Sequence, residues 1–389
     1  MSLEILSVFL RLGCTSFGGP IAHLGYFRTE LVERRGWCSE ETYAEIIAVA
    51  QSLPGPASSQ VVFALGSLRG GWLGGLAAWI GFAAPSAALM IWFAFAEPSL
   101  HGKTGMAIVH GLQLSAVAVV AQAVLVMRKR LTPDWQRVLI ALLAGVIALY
   151  AAASVSTLLA IAVGGACGLV FLRRNSAPVL PPLDLHVSRH GGTIAAVAYF
   201  GLLIASLLIR KTGSGVVQVS RAFYQSGALV FGGGHVVLPL LEHAVVSPGW
   251  VTQATFLTGY GFAQALPGPL FTFAAFLGTA IPSHSSRIAL GLVALIAIFL
   301  PGLLAIGAAL SFWSRMREFR PLQKVLPGIN ASVVGVLAAA FVRPVCSTAI
   351  HSVLDVVVAA AALALLTFVK ARPWMVVMAA VLVSVLIMR

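Results

Sequence analysis

The residues of this chain that could do chemistry gather at four breaks rich in glycine and proline. Two are glycine turns, Gly18-Gly19-Pro20 after Phe17 and Gly232-Gly233-Gly234 after Phe231. Two are tetrads, Leu53-Pro54-Gly55-Pro56 and Leu266-Pro267-Gly268-Pro269. Glycine stops a helix through its entropy, proline through its missing N–H. A helix that restarts beyond such a break opens with unpaired N–H groups at the positive end of its dipole. Ser58 and Ser59 follow the first tetrad, and Thr272 follows the second. Four such starts facing one cavity would suit an oxyanion of regular shape.

Side chains near the breaks extend the candidate set. Arg11, His23, Gln51, Gln60, Gln225, His235 and Gln264 are basic or neutral and polar. Arg11 reads either as a ligand or gate, or as a cation that snorkels to the interface from the first turns of a helix. His23 and His235 read equally as ligands or as caps of local backbone. Gln51 and Gln264 precede the two tetrads in matching positions. The Gly and Pro residues read first as structure, although a backbone ligand needs that structure. Ser115, Ser332, Gln113 and Asn330 read as helix-packing groups, and most tryptophans as interfacial anchors.

The elements that must position these residues are membrane helices. Of 389 residues, 59% are hydrophobic and 10% charged, and mean hydropathy is +0.96. Soluble domains carry about 25% charged residues, so lipid must be the solvent. Spanning runs occupy roughly 72–96, 107–127, 138–151, 155–172, 192–210, 288–312, 326–343, 353–369 and 373–388. Four more segments, 5–24, 42–68, 217–241 and 254–282, are apolar but broken. Such breaks survive at membrane depth only when buried in protein or lining a wet cavity. The net charge of +13 lies in short clusters between apolar runs, the pattern of cytoplasmic loops and not of a nucleic-acid binder. Glu4 and Arg11 argue against a cleavable signal peptide. The four scattered cysteines form no CxxC pair, so disulfides, a metal site and a cofactor are not expected.

The breaks repeat. Gly13, Phe17, Gly18 and Gly19 match Gly227, Phe231, Gly232 and Gly233 at an offset of 214. Trp37, Gln51 and Leu53 to Pro56 match Trp250, Gln264 and Leu266 to Pro269 at 213. Pro85 matches Pro301 at 216, and Gly111 and Ser115 match Gly328 and Ser332 at 217. Residues 1–172 and 216–389 therefore read as two transmembrane repeats, joined by a linker with one connecting span over 173–215.

Loop charges predict that the second copy is upside down. The loop at 25–41 holds Arg28, Arg34 and Arg35, while 242–252 holds no Lys or Arg. The 97–106 loop holds only Lys103, while 313–325 holds Arg315, Arg317, Arg320 and Lys324. Arg128, Lys129, Arg130 and Arg137 in 128–137 face none in 344–352. The positive-inside bias then puts 25–41, 69–71, 128–137, 173–191, 313–325 and 370–372 inside. Arg210, Lys211 and Arg221 fall outside and disagree. The fold expected is an all-α polytopic membrane protein of two inverted-topology repeats, with helices that are broken, re-entrant or fully crossing, at the Gly/Pro motifs. That is the architecture of secondary transporters. All twelve carboxylates sit in or near loops or at segment ends, Glu45 being the ambiguous one. Cation carriers usually need a buried carboxylate, so the cargo reads as an anion.

FLRLGCTSFGGPIAHLGYF, LVERRGW and QSLPGPASSQ, followed by FGGGHVVLPLLE, PGW and GYGFAQALPGPLFTFAAFLG, resemble the two blocks of the chromate ion transporter family in its long two-domain form. The resemblance covers nearly the whole chain apart from 173–215. It implies a non-enzymatic carrier that exports chromate across the bacterial inner membrane and confers chromate resistance, with sulfate as competitor. A sulfate or other oxyanion carrier, or an anion channel, is the alternative. Membrane lipid and an oxyanion are the partners implied, a homodimer is compatible, and no nucleic acid is. By resemblance, Arg11, Gly18, Gly19, Pro20, His23, Pro54, Gly55 and Pro56 fall on the first block. Gly232, Gly233, Gly234, His235, Pro239, Gln264, Pro267, Gly268 and Pro269 fall on the second.

Overall fold

Residues 2–100, 102–150, 156–172, 189–208, 215–230, 237–282, 286–316 and 322–387 are described in a computed structural model. Those residues form helices and short connections, with no strand among them. The first half carries α1 (Ser2–Thr15), α2 (Gly19–Phe27), a π-helical stretch Arg28–Arg34, α3 (Glu40–Ser52), α4 (Ala57–Ala96), α5 (Gly102–Leu131), α6 (Trp135–Tyr150) and α7 (Ser156–Phe171). After α8 (Arg189–Leu208) come α9 (Gly215–Ala228), α10 (Val237–Val245), α11 (Gln253–Ala265) and α12 (Phe273–Ala280), the last preceded by a 3₁₀ turn Leu270–Thr272. Then follow α13 (Arg287–Met316), α14 (Leu322–Ala340), a π-helical stretch Phe341–Cys346, α15 (Ser347–Ala349), α16 (Val353–Thr367) and α17 (Pro373–Ile387).

Five stretches are long and apolar enough to cross a bilayer: 57–99, 102–131, 190–208, 287–312 and 324–349. Shorter apolar helices, such as 135–150 and 353–367, accompany them. Their outward faces are greasy: Ile194, Val197, Phe200, Ile204 and Leu207 of α8 are all exposed. In water such a stripe would be a liability, whereas in lipid it is the expected surface.

Every expected break within the described residues interrupts a helix. α1 stops at Thr15 and α2 starts at Gly19, with Gly18 and Gly19 at φ +101° and +76°. α3 and α11 stop one residue before their Leu-Pro-Gly-Pro tetrads. The third break, at 231–236, lies outside the described residues. A further interruption sits inside α4, where Gly71 takes φ +57°. Residues 57–69 thus form a half-helix that folds back on 72–96, with Gly66 against Gly74 and Ala78, and Gly75 against Phe63. α12 folds back on α13 in the same way, Gly278 lying against Leu290, Gly291 and Ala294. Small residues let these backbones touch.

The two halves exchange partners. α1 packs on α4 and α9 on α13, each within its own half. α5 of the first half packs on α16 and α17 of the second, and α14 of the second packs on α6 and α7 of the first. Gly111 of α5 meets Val381 of α17, and Gly328 of α14 meets Gly164 of α7. These pairs agree with the repeat offset of 217 residues in both members. Such reciprocity characterises a two-fold relation, in which i meets j and j meets i.

Two readings need correcting. Glu45 lies neither in a loop nor at a segment end: it sits mid-way along α3 and is buried at 2% exposure. α3 is a half-helix packed into the core, so its inner face holds a carboxylate that hydropathy alone put near a loop. Gln225 is not free for solute, because its amide donates to the Ser206 carbonyl at 2.8 Å and ties α9 to α8. Arg221, whose outside placement conflicted with the loop charges, also donates to Ser206, at 3.0 Å.

Candidate functional site

The breaks of one half meet the breaks of the other at two crossings. At the first, the Gly268 N–H donates to the Ser16 carbonyl at 2.9 Å. At the second, the Gly55 N–H donates to the Val230 carbonyl at 2.7 Å. Position 55 plus 213 is 268, and position 16 plus 214 is 230, so the bonds are equivalents. Each joins a Leu-Pro-Gly-Pro tetrad to the end of the first helix of the opposite repeat. Both glycines are left-handed, at φ +118° and +93°. The approach is also close. A Cβ on Gly55 would lie 2.7 Å from the Gly302 Cα, and one on Gly268 would lie 2.8 Å from the Ser86 hydroxyl. Gly302 and Ser86 are again equivalents, at the offset of 216 that relates Pro301 to Pro85.

Helix starts at the breaks differ from helix starts at loops. α3 is capped by Ser39, whose hydroxyl accepts from the Thr42 N–H at 3.2 Å. α11 is capped by Thr252, which accepts from the Thr255 N–H at 3.1 Å. α16 carries a capping box between Ser352 and Asp355. The starts beyond the breaks have Gly18, Pro56 and Pro269 at the cap position, and none supplies a side-chain bond. Their first N–H groups lack the acceptor that loop helices carry.

Several of the buried polar atoms without partners lie in the same segments. The Ser16 and Ser59 hydroxyls, both ring nitrogens of His23, Oε1 of Gln60 and Nε2 of Gln264 are buried and make no hydrogen bond. A native fold leaves few such atoms, and each calls for an explanation. His23, 1% exposed, stands edge-on to Phe82 at 5.3 Å. Its ring also lies against the Ser16 backbone, so both the ligand and the local-cap readings stay open for this residue. Gln60 is partly occupied: its Nε2 donates to the Pro54 carbonyl at 2.8 Å and the Gly302 carbonyl at 3.1 Å, lacing the second crossing together. Thr272, the equivalent of Ser59, has its hydroxyl bound to the Pro269 carbonyl at 2.8 Å. The two crossings therefore share a backbone plan and differ in side chains.

The remaining candidates fall into place around them. Pro54, Pro56 and Ser58 sit at the second crossing, Pro267 and Pro269 at the first, with Ser58 and Pro56 buried. Gln51 is exposed while Gln264 is half-buried, so the sequence-matched pair diverges in surroundings. Gly232, Gly233, Gly234 and His235 lie outside the described residues. Arg11 stands apart from the crossings. It lines a cleft of about 290 Å³ with Val8, Leu12, Thr15, Tyr26, Thr29, Glu30 and Arg34. There Glu30 is engaged by Arg35 at 2.8 Å and Arg34 at 3.4 Å. Ser16, Ser86 and Gly302 were missed from sequence. The matched prolines 85 and 301, each one residue before one of them, were the available signal. Ser115 and Ser332 bond to their own helices, at 2.7 and 2.8 Å, as packing residues would. Among the described residues no group of three or more His, Cys, Asp or Glu could hold a metal ion.

The chain matches the family described as chromate transporter over residues 3–169 and 217–385. It is 29% identical to the chromate transport protein of Pseudomonas aeruginosa over 345 residues, 86% of this chain and 79% of that one. It is 28% identical to a probable chromate transport protein of Synechococcus elongatus over 344 residues, 87% and 83% of the two chains. It is 26% identical to the chromate transport protein of Cupriavidus metallidurans over 388 residues, 98% and 92% of the two chains. No solved structure matches it.

Proposed function

Because the chain belongs to the chromate transporter family, we propose that it is a secondary carrier that exports chromate, or a sulfate-like tetrahedral oxyanion, from the bacterial cytoplasm and so confers chromate resistance. The observation that carries this reading is the contrast in capping. Loop helices have their N–H groups answered by Ser39, Thr252 and Ser352, whereas helices starting at the breaks do not. An oxyanion between the crossings would supply the missing acceptor and answer the orphaned donors of Ser16, Ser59, His23 and Gln264.

The binding set is then Gly18, Gly19, His23, Pro54, Gly55, Pro56, Ser58, Gln264, Pro267, Gly268 and Pro269, with Gly232 to Gly234 and His235 as the equivalents of the first turn. Gln51 and Arg11 serve the approach. Reciprocal pairing supports two repeats related by a two-fold axis, and loop charge supports an axis lying in the membrane plane. Access alternates as one repeat rocks against the other. One crossing opens while its equivalent stays closed. Export of a dianion from a cell negative inside runs down the membrane potential, by roughly 2.3 kcal/mol per charge per 100 mV.

Uptake of labelled chromate into inverted membrane vesicles tests the proposal. Saturable uptake, inhibited by sulfate, supports a carrier for tetrahedral oxyanions. Uptake linear in chromate would indicate a channel, and indifference to sulfate would remove the shared-oxyanion site.

A further inference from the structure

The repeats differ where the first is held by an ion pair. Arg28, at the end of α2, donates to Glu40 of α3 at 2.8 and 3.0 Å and to Glu33 at 2.6 Å. At the offsets of 214 and 213 the equivalent positions are Glu242, on α10, and Gln253, at the start of α11. The cation has become a carboxylate, and its anionic partner a carboxamide.

Glu242 and Gln253 line a small cavity completed by Val120 of α5, Leu238 and Pro239 of α10, Phe256 of α11, Leu337 and Ala340 of α14, and Val345. No ion pair or hydrogen bond engages the Glu242 carboxyl among the described residues, and the Gln253 Nε2 is buried without a partner. No other ionisable group lines the cavity from α5, α11, α14 or the 341–346 stretch. His243, Arg343, Arg221 and Glu97, on α10 and on other elements, are otherwise placed. His243 pairs with Ser247 at 3.3 Å, Arg343 is exposed, Arg221 on α9 is bound to Ser206, and Glu97 accepts from Thr255.

We propose that Glu242 is a proton-binding site that couples closure of α10 onto α5 and α14 to pH, so that the neutral carboxyl closes the cavity and the carboxylate opens it. A half-buried carboxylate against valine, leucine, phenylalanine and alanine with no cation is costly, and taking up one proton from water removes the charge. α10 is a nine-residue helix, too short to cross a bilayer, and Glu242 lies in its second half, at the start of the 242–252 stretch read as a loop, where burial pushes its carboxyl up to about 7. Between pH of about 6 and about 8 such a group passes from roughly one tenth to roughly nine tenths ionised. In the first repeat Glu40 has Arg28 as its partner, a cation that Glu242 lacks. This deepens the transport reading and rests on it for its consequence, proton-sensitive flux.

Cys346, next to the lining residue Val345, reports the closure without transport. In the full chain carrying C14S, C38S and C167S, maleimide labelling of Cys346 should rise about fivefold or more across that pH range, beyond the rise of a free thiol. With the rise of a free thiol divided out, E242Q should label slowly at both pH values, and E242D should keep the additional rise. Oxyanion flux into proteoliposomes should follow the same three patterns. A pH response in E242Q equal to that of the parent, or its loss in E242D with E242Q unchanged, overturns the proposal. An intact labelling response with no oxyanion flux from any chain would instead overturn the transport reading alone.

Discussion

The Gly55 N–H reaches the Val230 carbonyl at 2.7 Å, 175 positions further along the chain, and makes a tetrad of the first repeat the partner of the second repeat's first helix. Its equivalent, Gly268 to Ser16, is 2.9 Å long. Breaks that look like defects in separate helices are thus the sites where the two repeats bind each other. Both need glycine, for the left-handed backbone and for the space.

The two glycines should not respond alike to alanine. A left-handed non-glycine residue costs roughly 1–3 kcal/mol, and Gly55→Ala and Gly268→Ala both carry that cost. At Gly55 the new methyl meets the Gly302 backbone, which cannot step aside, while at Gly268 it meets the end of the Ser86 side chain. Gly55→Ala should therefore lower the melting temperature in detergent more than Gly268→Ala. Ser86→Ala should recover part of the loss at Gly268 and none at Gly55.

Orphaned polar atoms separate ligand groups from structural ones. Ser59→Ala removes a hydroxyl with no partner in the fold. Stability should stay within about 0.5 kcal/mol of the parent while KM for the oxyanion rises. Gln60→Leu deletes two bonds to backbone carbonyls and should cost about 1–3 kcal/mol. Melting and flux measured side by side decide between these roles. A Ser59→Ala protein with unchanged KM would remove that hydroxyl from the site.

Arg11 should act on capture. It faces a cleft in which Arg34 is already engaged by Glu30, so it offers the less committed cation. Arg11→Gln should raise KM about tenfold, as expected for loss of one charge-assisted contact. The maximal rate should stay within about twofold, and the salt dependence of KM should weaken. An unchanged KM would make Arg11 an interfacial anchor.

Acid should loosen the π-helical stretch Arg28–Arg34 that follows α2. The Arg35 guanidinium, hydrogen-bonded to Glu30, holds that carboxyl below the usual carboxylate range; partial burial opposes this and Arg34 adds to it. A carboxyl depressed in the folded state contributes stability that is present above its unfolded value of about 4.3 and lost as pH falls through the folded value. Melting temperature should therefore drop on the acid side in the parent, and Glu30→Gln should flatten that part of the profile.

Much of this was legible in the residues. Gly18-Gly19, Pro54-Gly55-Pro56 and Pro267-Gly268-Pro269 announce broken helices because glycine and proline act on the backbone locally, whatever surrounds them. Matching offsets announce the repeat for the same reason. Ser39 and Thr252 are loop caps that sequence also could have named. What remained hidden depends on neighbours distant in the chain. Nothing near Gln225 says that Ser206 will take its amide, and nothing near Glu45 says that α3 buries its middle. Gln51 and Gln264 match in sequence and part in surroundings, because the elements packed against α3 and α11 are not equivalent side chain for side chain.

The most direct test of the account is counterflow with the purified chain in liposomes. Liposomes loaded with unlabelled chromate should take up labelled chromate transiently above its equilibrium level, faster than empty ones, and external sulfate should slow that uptake. Labelled chromate entering at the rate of protein-free liposomes, or at a rate indifferent to chromate inside, would contradict a carrier that alternates access around one oxyanion site.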